Sequence, residues 1–266
     1  MSVDTVRIDS WNAFVACADE LDDWAFRGLR SAQQPLVSSL CRRLTQYCPD
    51  ASQWRSREAR ALRIFRRKAH IYLGERGVLD DDLRCLSMMQ HHGAPTRLLD
   101  FTKSPFVAAF FALEGADGDA AIYALNTPAL WHAVPSFDAS LTRERIDPRR
   151  SDNFARYFAT NDQPILWCGE PAEMDRRLVA QSGLFVVPGQ IELTLDQILR
   201  NYQASEPLLK KIVLPVALRE QVMRALYRMN ITHATLFPDL DGLARSIGYE
   251  LEVVWEGARG GDDMLA

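Results

Sequence analysis

The chain has 266 residues, of which 47% are hydrophobic and 25% charged, and its formal net charge is −4. A chain of this length and balance builds a sizeable core, as one large domain or two small ones, and is neither a disordered nor a fibrous protein. The acidic balance argues against bulk electrostatic capture of nucleic acid.

In chain order, Ser10 reads as an N-cap for a helix over Trp11 to Leu21, with Phe14, Val15 and Ala18 on one face. Trp24-Ala25-Phe26 alternates like a strand and runs into Arg27-Gly28, where the backbone needs room. Ser56 to Leu73 reads as a long helix with Leu62, Phe65, Ala69 and Tyr72 at helical spacing, and Arg57, Arg60, Arg63, Arg66, Arg67 and Lys68 on its other faces. Such a strip suits either a solvated helix face or a polyanion.

Met88 to Leu113 carries the densest local grammar. Gly93 and Pro95 mark a turn that exposes His91 and His92. Thr96 to Thr102 reads as a strand, and Ser104-Pro105 as the N-cap and first residue of a helix. Phe106 to Leu113 is apolar on every side, the mark of a buried helix. The first turn of that helix, with free N–H groups and the Thr102 and Ser104 hydroxyls beside it, reads either as a capped core helix with nothing bound or as a seat for a phosphate or carboxylate. Adjacent histidines point to different sides of an extended chain and make a poor metal site; they read as structural turn histidines first, and one of them as a hydrogen-bonding or acid–base group second.

Ala120 to Leu125 reads as a strand, and residues 126–163 as a long connection or peripheral insertion. A strand is expected over Pro164 to Trp167, a helix from Pro171 to near Gln181 and a strand over Gly183 to Val187. Lys211 to Pro215, Ala217 to Arg228, Leu243 to Ile247 and Tyr249 to Trp255 read as strand, helix, short helix and closing strand. Asp239 and Asp241 around Gly242 read as caps of the helix that follows, or as carboxylates acting on a ligand. With no GxGxxG or Walker loop, this mixture predicts an α+β fold rather than a doubly wound nucleotide fold.

Five cysteines without CxxC spacing suggest a reducing compartment. The N-terminal residues show no basic-then-apolar signal peptide, and the longest apolar run, Phe106 to Leu113, is too short for a bilayer. A cytoplasmic protein without a membrane partner is expected.

The motifs resemble the FRG domain family, whose name is spelled by Phe26-Arg27-Gly28. Gln90 to Thr102 with Ser104-Pro105 is similar to its central signature, Arg177 with Gln181 to Phe185 to its third block, and Leu236 to Ala244 to its last. The resemblance implies a single domain over residues 1–266, its core at about 22–256, with the insertion at 126–163.

A further resemblance, to ADP-ribosyltransferases of the arginine–serine–glutamate type, implies a split mixed or antiparallel sheet flanked by helices. It also implies NAD as substrate, bound by Arg27, Gly28, His91, His92, Thr102 and Ser104. Arg27 would grip the phosphates with its planar fork, and Thr102 and Ser104 would line the nicotinamide. Gln181 stands where the family places a catalytic glutamate, so Arg27, Thr102 and Gln181 form the implied catalytic set. Gln181 carries no charge, and Glu170, Glu173, Glu192 or Asp100 would have to supply it. The implied activities are transfer of ADP-ribose to a protein or nucleic-acid target, as in toxins and phage defence, or NAD hydrolysis. A non-catalytic module sensing a nucleotide or RNA end through Arg27, Arg97 and the basic helix is a second reading, and an interaction domain whose motif blocks are only core is a third.

Overall fold

The N-terminal half is built around an apolar helix laid on a sheet. In a computed structural model, which describes residues 3–74, 77–150 and 152–251, it comprises β1 (Asp4–Arg7), α1 (Trp11–Asp19), β2 (Ala25–Leu29), α2 (Ser39–Tyr47), α3 (Trp54–Ala69), α4 (Asp82–His91), β3 (Leu99–Thr102) and α5 (Pro105–Leu113). Then come β4 (Ala120–Leu125), α6 (Thr127–His132), β5 (Val134–Pro135), a π turn (Phe154–Phe158), β6 (Leu166–Gly169), α7 (Arg176–Ala180) and β7 (Gly183–Pro188). The chain continues through α8 (Leu195–Leu199), β8 (Tyr202–Gln203), β9 (Leu209–Leu214), α9 (Arg219–Arg228), α10 (His233–Leu236) and α11 (Leu240–Tyr249).

Among the described residues, seven strands form one mixed sheet in the order β1-β9-β4-β2-β3-β7-β6, and β5 pairs with β8 in a separate ribbon. Only β1 and β9 run parallel; the other neighbours are antiparallel. The fold is α+β, with helices on both faces of the sheet. One face buries Phe14 of α1, Ala108, Ala109 and Phe110 of α5, and Val222 and Leu226 of α9 against Phe26, Ile122 and Ile212. On the other, Ala25, Leu29, Phe101, Tyr123 and Val186 pack on Leu195 and Ile198 of α8. A third cluster sets Trp167, Phe185 and Val187 of the far strands against Leu62 of α3 and Leu86 of α4.

The pairing is uneven. Five residues of β2 pair with β4, from Ala25↔Leu125 to Leu29↔Ala121, whereas β2 meets β3 at Phe26↔Thr102 alone. The sheet is therefore two halves, β1-β9-β4-β2 and β3-β7-β6, joined by one bridge. Beyond that bridge the strands part.

Several local expectations shift. The strand expected from Thr96 begins at Leu99, because Thr96 is spent on a turn, its Oγ1 accepting from Leu98 N, while its carbonyl receives Leu40 N. His91 and His92 do not sit on an extended turn: His91 ends α4 and His92 caps it. The helix expected from Pro171 starts at Arg176 under an Asp175 cap. Residues 126–163 are no peripheral insertion, since Leu141, Ile146, Phe154, Tyr157 and Phe158 are buried in the third cluster. Of the closing strand expected over 249–255, Tyr249 ends α11, Glu250 and Leu251 continue it as a helical turn, and the remainder lies outside the described residues.

Candidate functional site

Where β2 and β3 diverge they leave a cleft of ≈ 280 Å³. Arg27, Gly28 and Leu29 form one wall and Asp100, Phe101 and Thr102 the other. Ala108, Phe111 and Glu114 close it from the helix side, and Arg177 and Gln181 from the α7 side. Strand alternation turns Gly28 and Arg27 to opposite sides. A Cβ on Gly28 would lie 2.1 Å from the Ala108 carbonyl oxygen, so only glycine lets α5 seat this closely on β2.

Arg27 spans the gap. Its Nη1 donates to the Asp100 carbonyl at 2.5 Å, standing in for the ladder bond that the diverging strands lack. Its Nε is buried and has no hydrogen-bond partner among the described residues. Burial pulls the guanidinium below the ordinary arginine range, against the opposing pull of the Asp100 charge. An orphaned buried donor costs roughly 1–3 kcal/mol in a finished interior and marks a position that a ligand acceptor would complete.

Thr102 ties the joint together. Its Oγ1 donates to the Gln181 carbonyl at 2.6 Å and accepts Ser104 N at 3.0 Å. Gln181 is the C-cap of α7, not the head of β7, and its Nε2 donates to the Leu236 carbonyl at 3.0 Å. Ser104 caps α5 through Val107 N and lines neither cavity described here, as is true of the exposed His92. The N-terminal turn of α5, expected as an anion seat, therefore turns away from the cleft, and its C-terminal end faces it instead. His91 lines a smaller adjoining cavity of ≈ 30 Å³ and bonds Asp175 at 3.1 Å. Asp100, Phe101, Arg177 and Gln181 line both spaces.

Sequence reasoning missed Glu114. Its carboxylate accepts from Arg30 at 2.5 Å and from His233 Nε2 at 2.8 Å. Burial raises its pKa, but the hydrogen bonds from His233 and Arg30 outweigh burial and hold it below the usual carboxylate value. A glutamate directly after an apolar helix meets the negative end of the macrodipole, and that mismatch is the signal in the sequence. Of the carboxylates expected to replace a glutamate at Gln181, Glu170 is paired with Lys103 and Glu173 with Arg84. Glu192 accepts from Asn161, and only Asp100 lines the cleft. Asp100 Oδ1 accepts from Gln90 Nε2 at 2.8 Å.

Fold and site together define an α+β protein with a parted sheet and an arginine-lined cleft at the parting. Residues 22–120 match the model of the FRG domain family, and this chain carries an FRG domain. The matched span holds β2, β3, α5 and Glu114, whereas Arg177, Gln181 and the strands β7, β6 and β9 lie beyond it. No curated protein and no solved structure matches the chain. Among the described residues, no helix is long and apolar enough to cross a membrane.

Proposed function

We propose that the β2/β3 cleft binds NAD and that the protein transfers its ADP-ribosyl group to a nucleophile on a macromolecular acceptor, releasing nicotinamide and a proton. The observation that carries this reading is Arg27: a guanidinium bridging two parted strands, with a buried Nε left unpaired. A planar cationic fork in a partly dry cleft suits a diphosphate. At ≈ 280 Å³ the cleft sits just below the usual range of ligand pockets, room for one half of a dinucleotide.

Departure of nicotinamide leaves an oxocarbenium-like ribose, which a carboxylate stabilises. Gln181 cannot supply that charge, and its amide is already committed to Leu236. Asp100 adjoins Gln181 in both cavities and takes the carboxylate role. Arg177, whose guanidinium lies 4.7 Å from the Phe237 ring centroid, adds a second cation. The order of motifs in the sequence, from Arg27 through Thr102 and Ser104 to Gln181, resembles that of ADP-ribosyltransferases, and that resemblance is the ground for choosing NAD over other nucleotides.

The test is calorimetric titration with NAD, ATP and GTP, with nicotinamide release followed in parallel. Wild type binds NAD saturably; Arg27→Ala loses about tenfold or more in affinity while its stability falls by no more than the roughly 1 kcal/mol of one hydrogen bond. Asp100→Asn keeps binding and loses release. Binding without any release by wild type would favour a nucleotide-sensing module, and no binding by any nucleotide would overturn the reading.

A further inference from the structure

The helix α3 carries an unneutralised row of cations that the cleft does not use. Arg55, Arg57, Arg60, Arg63, Arg67 and Lys68 are all exposed. None lies within ion-pair distance of a carboxylate among the described residues, whereas Arg66 on the same helix is held by Asp82 at 2.6 Å. The helix has a single acidic residue, Glu58, which is buried against Arg97 and contributes nothing to the outer face. Helical periodicity sets Arg60, Arg63 and Arg67 in line, opposite the buried Glu58, Leu62 and Ala69.

Folding alone does not favour this arrangement. Like charges at i,i+3 and i,i+4 repel by roughly 0.2–0.5 kcal/mol each. Arg55 and Arg57 also place cations in the first turn, against the positive end of the helix macrodipole. A solvated face normally mixes signs. The choice of arginine at five of six positions adds planar forks matched to phosphate. In the turn just past the helix, Tyr72 is 84% exposed, an aromatic face beside the end of the cationic row.

We propose that the outer face of α3 binds single-stranded nucleic acid, its arginines tracking successive phosphates and Tyr72 stacking on an unpaired base. The outer-face cations from Arg57 to Lys68 span about 16 Å along the helix axis at ~1.5 Å per residue, long enough for several phosphates. The chain's net charge of −4 argues against bulk capture, so the local excess of cations on this face is what carries the binding. The inference does not depend on the function proposed for the cleft.

Fluorescence anisotropy with a labelled short oligouridine tests it. Neutralising about five phosphates of a single strand predicts a log–log salt slope of about −3 to −4, so affinity falls about a hundredfold between about 50 and 200 mM salt. Arg60→Glu/Arg63→Glu/Arg67→Glu abolishes binding. The uncharged Arg60→Gln/Arg63→Gln/Arg67→Gln, checked for native circular dichroism, loses about tenfold or more. Tyr72→Ala loses about fivefold or more with the slope unchanged. Absence of binding at low salt, a slope near zero, undiminished binding by the folded glutamine variant, or a preference for vesicles rich in phosphatidylserine over the oligonucleotide would each overturn the proposal.

Discussion

Arg27 and Arg97 both stand in the family's motifs, and the sequence alone offers either as a ligand-binding cation. Their surroundings separate them. Arg97 is wholly buried; its guanidinium pairs with both oxygens of Glu58 and donates to the Phe158 and Pro188 carbonyls. All three of its guanidinium nitrogens donate to partners within the fold, so it is a structural strut and not a sensor. Removing one partner of such a pair strands a buried charge, and Arg97→Met should cost about 3–5 kcal/mol. The double change Glu58→Leu/Arg97→Met should recover most of that loss in urea denaturation. A single variant that unfolds at the wild-type midpoint would show that the pair carries no structural role. Gly28→Ala should lower stability by about 1–3 kcal/mol or more, since its Cβ would meet Ala108 O at 2.1 Å and Ala112 N at 2.6 Å, both backbone atoms of α5. Glu114 sets a pH dependence. Its folded pKa lies below the ordinary 4.5 because the hydrogen bonds from His233 and Arg30 outweigh burial. The stability it contributes is therefore complete above about pH 4.5 and is lost as the pH falls through the folded value. Melting curves taken across that acid window should decline less steeply for Glu114→Gln than for wild type, and parallel declines would refute the assignment.

Elements announced by local chemistry were legible. Ser10 and Ser104-Pro105 start α1 and α5, and Asp239 starts α11, because a side-chain cap is written in two or three adjacent residues. The strands β2, β4 and β7 stand out as short apolar runs. What failed needed partners distant in sequence. The helix α4 hides because the Gly93 turn signals only its end, and α2 is recognised nowhere, its buried face being matched only by Trp54 and Ile191. Residues 126–163 look like a loop, yet their aromatic side chains fill the space behind β6 and β7. Within the cleft, Arg27, Gly28, Thr102 and Gln181 were legible as motif residues. Glu114, Arg30 and His233 were not, since they meet only after α5 has crossed β2 and α10 has folded back. Thr102 shows how far one side chain can link elements: it joins β3, the α5 cap and the end of α7. Thr102→Val should leave the Gln181 carbonyl and Ser104 N without this partner, costing about 1–3 kcal/mol. A melting temperature equal to wild type would mean that water replaces both bonds.

At the scale of the whole molecule, the single bridge between β2 and β3 governs how the two sheet halves respond to a ligand. The half β1-β9-β4-β2 is stitched by ladders of four to six residue pairs, and β3-β7-β6 by ladders of four. Among the described residues, only Phe26↔Thr102 and the Arg27 contact to Asp100 cross the seam within the sheet. Backbone groups of Gly28 and Leu29 on the seam side therefore lack the ladder that protects β4, and amides there should exchange faster than those of β4. A ligand clasped by Arg27 on one side and by Asp100 and Thr102 on the other would span both halves and slow that exchange. At about 100 times Kd it would also stabilise the fold by about 2.7 kcal/mol, a gain visible as a rise in melting temperature. Hydrogen exchange measured with and without NAD distinguishes this from binding elsewhere. Protection concentrated in β2 and β3, and absent in Arg27→Ala, is the expected pattern. A rise in melting temperature with no protection along the seam would put the ligand in another part of the molecule and leave the parted strands as a feature of packing alone.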